Sequence, residues 1–135
     1  QNAPKGGKKS MYPGYYIHIE PGKSFLAGGM YMPPAPELSA IRQEIDYNTN
    51  EFKKIISNKE FIKYFGGIAD EGKLKTAPKG YAKDHPQIEL LKNKHFIVVH
   101  NFKDDVIYSR NFLKYCTNAL KAMYPFDLFL RKAIG

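Results

Sequence analysis

The sequence is poor in the residues that most often carry metal, redox or membrane chemistry. It has one cysteine, Cys116. A single thiol excludes an internal disulfide and a cysteine-rich metal site, and it fits a reducing, cytoplasmic compartment. No apolar run nears the roughly 18 residues of a membrane span, and the longest, "FIVV" at 96 to 99, is strand-sized. No membrane partner is therefore expected. Arginine is scarce as well: of 21 basic residues, only Arg42, Arg110 and Arg131 are arginine. Arginine forks onto bases and phosphates, whereas lysine is a hydrated point charge common on plain surfaces. The net charge of +8 thus reads first as a solvated basic surface and only second as a nucleic-acid face. A phosphate-binding G-x-x-x-x-G-K-S/T loop is absent. "GKS" at 22 to 24 lacks the glycine and strand that precede such a loop and reads as a turn.

The four histidines, His18, His85, His95 and His100, form no helix-spaced pair. His95 and His100 are five apart on one strand and face opposite sides. His18 and His100 could meet across neighbouring strands, but a hydrogen-bonded structural role is expected for each. Neither a metal site nor a cofactor is expected. Cys116 lies on the apolar stripe of a helix, where an inert buried thiol is expected rather than a nucleophile.

What is present describes a soluble domain. The chain has 135 residues, 43% hydrophobic and 25% charged, enough for one domain with one core. It begins at Gln1, and "QNAPKGGKKSMYPG" has no signal peptide's apolar stretch. Residues 1–13 are read as a flexible basic segment or linker, and residues 14–135 as a single α+β domain. "YYIHIE" alternates as a strand, with Tyr15, Ile17 and Ile19 on one face. "PGK" turns the chain into "SFLAGGMYM", a second strand in which Gly28 and Gly29 mark a bulge or a close backbone approach. Helical spacing follows in "PPAPELSAIRQEI", with Leu38, Ile41 and Ile45 inward and Arg42 flanking them. "NEFKKII" is a short second helix. "SNKEFIKYFGG" opens a third on the capping-box pair Ser57 and Glu60. A short strand is expected at "KLKTA", and a short helix at "DHPQIELLKN" with Asp84 as cap. "HFIVVHNF" lacks clean alternation and reads as a central strand covered on both faces. "KDD" is a turn. Ser109 caps a long last helix that Pro125 should kink or interrupt. The element order predicts an antiparallel sheet with helices packed mainly on one face.

"APKGYAKDHP", residues 77 to 86, is the densest stretch. Pro78 and Gly80 shape a turn, Tyr81 packs on the core, and Asp84 caps a helix. Lys79, Lys83 and His85 are left over. A helix start with free N–H groups beside lysines is a place for an anion.

"GYYIHIEPGKSFLAGGMYMPPAPELSAIRQEI" and "LKTAPKGYAKDHPQIELLKNKHFIVV" resemble the bacterial family called domain of unknown function 2461. The resemblance runs from about Gly14 to the end of the chain. That family has no established activity, so the resemblance implies no mechanism. It does imply a longer protein, of which this chain is the C-terminal part. A missing N-terminal portion would then be a partner completing the sheet. Carried over by position, the recurring motif residues are Glu20, Pro21, Gly28, Gly29, Pro33, Arg42, Pro78, Lys79, Gly80, Tyr81, His85, Pro86 and Lys94. The candidate ligand-binding set is Arg42, Lys79, His85, Lys94, Gly28, Gly29 and Tyr81, and no catalytic residue is assigned.

The first expectation is a protein that binds or processes a small anionic ligand bearing phosphate or carboxylate. Arg42, Lys79 and Lys94 would supply charge, and His85 a hydrogen bond or acid–base group. These residues are expected on one concave surface near Gly28 and Gly29. The alternatives are a weak nucleic-acid-associated basic module and a structural or interaction domain. Self-association through an exposed strand edge is expected as well.

Overall fold

The computed structural model describes residues 13–135. The N-terminal segment read from the sequence thus lies almost wholly outside the described residues. Three strands and six helices follow one another: β1 (Gly14–His18), β2 (Phe25–Met30), α1 (Ala35–Tyr47), α2 (Thr49–Ile56), α3 (Lys59–Phe65), α4 (Ile88–Leu91), β3 (Phe96–Asn101), α5 (Asp104–Ile107) and α6 (Phe112–Ile134). The sheet is antiparallel in the order β1-β2-β3. This is the α+β arrangement that the element order predicts.

One face of the sheet makes the core. Leu26 and Met30 of β2 and Phe96 and Val98 of β3 are buried with Ile41, Ile45, Phe52, Phe61, Met123, Phe126 and Leu130 from the helices. Helix α6 is the hub, packing on α1, α2, α3 and β2. Phe52 meets Phe129 at a ring-centroid distance of 4.8 Å, and Phe61 meets Phe126 at 5.7 Å. Two glycines of β2 stand where a Cβ has no room, Gly28 under helix α6 and Gly29 beside strand β3. A Cβ on Gly28 would run into the Met123 thioether, and one on Gly29 into the Phe96 carbonyl. Gly29 also has φ +103°, a conformation that favours glycine.

Several sequence expectations change. β3 is an edge strand, because β2 lies between it and β1. Phe96 and Val98 are buried inward and Ile97 and Val99 half-buried outward, so its continuous apolar run reflects a half-covered outer face, not a central position. α6 runs on through Pro125. The apolar stripe resumes at Phe126, Phe129 and Leu130, and that burial holds the helix across the lost N–H. The cap of α3 is Asn58, whose Oδ1 accepts from the N–H groups of Glu60 and Phe61 at 2.9 and 3.3 Å, so the Ser57–Glu60 pair is displaced by one residue. α4 has four residues and no side-chain cap, and Asp84 lies upstream of it. "KLKTA" is not a strand, although the Leu74 N–H donates to the Lys92 carbonyl at 2.9 Å. The "KDD" turn continues into α5. Ser109 Oγ accepts from the Asn111 N–H at 3.0 Å, which places it in the turn before α6.

Candidate functional site

The Pro78–Pro86 loop is held on α1 by a polar staple. Gly80 has φ +91°, which turns the chain so that the Tyr81 N–H reaches the Pro78 carbonyl at 3.1 Å. His85 Nδ1 accepts from the Gln87 N–H at 2.9 Å. Its proton therefore sits on Nε2, which donates to Asp46 Oδ1 at 2.7 Å. One turn earlier on α1, Arg42 Nε donates to the Leu91 carbonyl at 2.7 Å and its Nη2 to the Asn93 carbonyl at 3.1 Å. These carbonyls close α4, so Arg42 caps that helix from outside. Burial lowers the Arg42 pKa, and the nearby Tyr81 phenol opposes this. Burial, then Asp46, pushes the Tyr81 phenol up, while Arg42 pulls it down.

The structure thus brings Arg42, Tyr81 and His85 together, with Arg42 and His85 already bonded to protein groups and the Tyr81 ring edge-on to the His85 ring. Both ring nitrogens of His85 are engaged, so it has no lone pair for a substrate. Lys79 is exposed on the same loop. Gly28 and Gly29 belong to a different neighbourhood, against Met123, Phe96 and Phe126. Lys94 is exposed beyond α4, beside Gly72 and His95.

The other histidines also have partners. His100 bonds the Tyr64 carbonyl at 2.7 Å and the Tyr115 hydroxyl at 2.9 Å. His18 Nε2 bonds Glu20 at 2.7 Å. His18 lies opposite Phe25, and His100 opposite Leu26. Consecutive residues of β2 point to opposite faces, so these two histidines cannot meet. Cys116 is buried, and burial pushes its thiol pKa up, away from nucleophilic use.

A concave site of mixed polarity lies elsewhere. A cavity of about 550 Å³ opens between α2, α3 and α6. Its apolar floor is Ile55, Phe61, Ala122 and Pro125. Three cations line it, Lys54, Lys63 and Lys121, one from each helix. Among the described residues, the lysine ion pairs use Lys73, Lys92 and Lys132, and none uses these three. Lys63 Nζ lies 5.3 Å from the centre of the Tyr64 ring, within cation–π range. Asn58, Asn118 and Tyr64 add polar groups, and Glu60 is the one acid of the lining. Pro125 has no N–H, so the Lys121 carbonyl one turn back lacks its helical donor at the cavity wall. Sequence reasoning missed this cleft. Each lysine sits next to a core-facing residue, but Lys54 and Lys121 are brought together only by the packing of α2 on α6.

A family profile described as "Conserved hypothetical protein (DUF2461)" matches residues 2–129. The chain belongs to this family. No curated protein and no solved structure matches it. The DUF2461 match spans both the staple and the lysine cleft. Four motif residues of the resemblance hold this fold: Arg42 and His85 tie a loop to α1, Gly28 admits α6 to the sheet, and Gly29 leaves room for the Phe96 carbonyl.

Proposed function

We propose that this protein binds a small anionic ligand, bearing phosphate or carboxylate, in the cleft between α2, α3 and α6. One observation carries the reading: three lysines from three helices line one cavity without a carboxylate partner among the described residues. Clustered cations repel one another, and an anion between them relieves that repulsion. About 550 Å³ suits a small molecule, and the apolar floor with a few polar groups matches such sites. The lining holds no histidine. The reading is therefore of binding, with no acid–base step assigned.

Calorimetric titration with pyrophosphate tests it. Lys63→Gln and Lys121→Gln should each weaken binding by about fivefold to tenfold, the worth of one charge-assisted contact in a partly wet site. Lys79→Gln, outside the cleft, should leave it unchanged. Equal loss from all three variants would mean a diffuse lysine surface, and the cleft reading would fall.

A further inference from the structure

The face of the sheet turned away from the helices carries aromatic rings and little charge. Facing pairs in the register share a side, so His18 with Phe25, Tyr16 with Ala27 and Val99, and Gly14 with Gly29 and Ile97 form successive rows on it. One step further, Tyr31 stacks on His95 with centroids 4.6 Å apart and planes 13° apart. At the other end, Tyr16, His18 and Phe25 form a cluster, with the His18 centroid 6.2 Å from Tyr16 and 5.1 Å from Phe25 and the latter two 6.0 Å apart. The facing glycines Gly14 and Gly29 leave a gap between the two aromatic ends. It is a hollow of about 290 Å³ walled by the rings of Tyr16 and Tyr31. Four residue steps along β2 and its extension lead from the Tyr16 row to Tyr31, roughly 13 Å at ~3.3 Å per residue. Flat rings fit against both walls.

The far wall is also held in place. Met32 is the one non-glycine residue with positive φ among the described residues, at +49°. Its N–H donates to His95 Nδ1 at 2.9 Å, so the ring that Tyr31 stacks on also fixes the turn beyond it. Yet Tyr31 and Met32 are 67% and 64% exposed, and Tyr16 is 55% exposed. A left-handed non-glycine residue in so exposed a turn serves the placement of a surface ring better than it serves a core.

We propose that this face is a stacking platform for single-stranded nucleic acid, with unpaired bases against Tyr16 and Tyr31 over the Gly14–Gly29 gap. Charge decides the occupant. The chain carries +8, so a second copy brings like charge, whereas a polyanion brings opposite charge. Lys94 lies beside His95 at the Tyr31 end, since both approach Gly72. It meets the strand's phosphates there while the bases lie on the rings. Every base has a π-face, so the platform takes single strands with little regard to sequence and rejects duplexes, whose bases are already stacked.

The test is fluorescence anisotropy with labelled oligo(dT) of about twelve nucleotides, beside a duplex of similar length. The single strand should bind more tightly. Tyr16→Ala and Tyr31→Ala should each weaken it by about fivefold to a hundredfold, the usual effect of losing one stacked base. Tyr16→Phe and Tyr31→Phe should hold affinity within about threefold, because the ring and not the hydroxyl makes the contact. The paired variant Lys63→Gln, Lys121→Gln separates this site from the anion cleft and should leave oligo(dT) binding in place. Duplex binding as tight as single-strand binding overturns the proposal, as does indifference to both alanine substitutions. Sedimentation of the same variants detects the remaining rival: a dimer lost on Tyr16→Ala or Tyr31→Ala, without any effect on oligo(dT), would assign the face to a second copy.

Discussion

Asp127 has an environment at odds with its charge. It is 8% exposed, sits in α6, and its Oδ1 finds no hydrogen-bond partner. Burial pushes its pKa up to about 7, while Arg131 and the Gly29 backbone amide pull down less strongly. The unfolded carboxyl titrates near 3.8. Below that value both states are protonated and the group costs nothing. Between 3.8 and about 7 the unfolded state ionises first, so stability falls as pH rises. Above 7 the full cost is present, on the order of 4 kcal/mol at about 1.4 kcal/mol per pH unit. Asp127→Asn should therefore raise the urea midpoint at pH 8 and change it little at pH 4. Parallel pH profiles for the two proteins would show that the carboxylate is solvated through an opening. Arg42 presents the opposite case: a buried-side cation whose fork is matched by two carbonyls. The same residue type beside the same loop suggests anion binding when read along the chain, and a structural cap once its partners are known.

At the level of elements, the two glycines of β2 separate a soft obstacle from a hard one. At Gly28 an added methyl meets the end of the Met123 side chain, which can swing aside. At Gly29 it meets the Phe96 backbone carbonyl, and φ of +103° strains any other residue. Gly28→Ala should cost about 1 kcal/mol and Gly29→Ala well above 2 kcal/mol, measured by urea unfolding. Similar costs would mean that β2 shifts as a unit. The same strand shows what was legible in the sequence. Alternation and turn residues place β1, β2 and the hairpin, and helical spacing places α1, α2, α3 and α6, because each signal is local. What failed was decided at a distance. The outward Ile97 and Val99 give β3 the run of a covered strand, although it is an edge strand. Pro125 is a breaker by local rule, yet the burial of Phe126, Phe129 and Leu130 carries α6 past it. The site followed the same pattern. The turn at Gly80 and the grouping of Tyr81 with His85 were legible, since they lie within one loop. Asp46 as the partner of His85, and the lysine cleft, depend on contacts between distant elements.

For the whole molecule, charge and edge oppose each other. Helices cover one face of a three-stranded sheet, and the outer side of β1 has no strand partner among the described residues. β3 is better protected, because the Ala69 N–H donates to the Ile97 carbonyl at 2.8 Å. β1 reads "GYYIH", without lysine or proline to discourage pairing. An antiparallel β1–β1 contact would extend the sheet across a two-fold axis, but it brings together two chains of +8. At low salt that repulsion acts over roughly 30 Å, and at 1 M salt over about 3 Å. Self-association through this edge should therefore be weak at low salt and strengthen as salt is added. Oligonucleotide binding should do the reverse, because it releases counterions. Tyr15→Lys puts a charge on the exposed edge and should abolish the association at every salt concentration. Sedimentation velocity in low and high salt reads this directly. A chain that stays monomeric in both would show that β1 is masked, and an association that weakens with salt would place the contact between charged surfaces instead of along the strand.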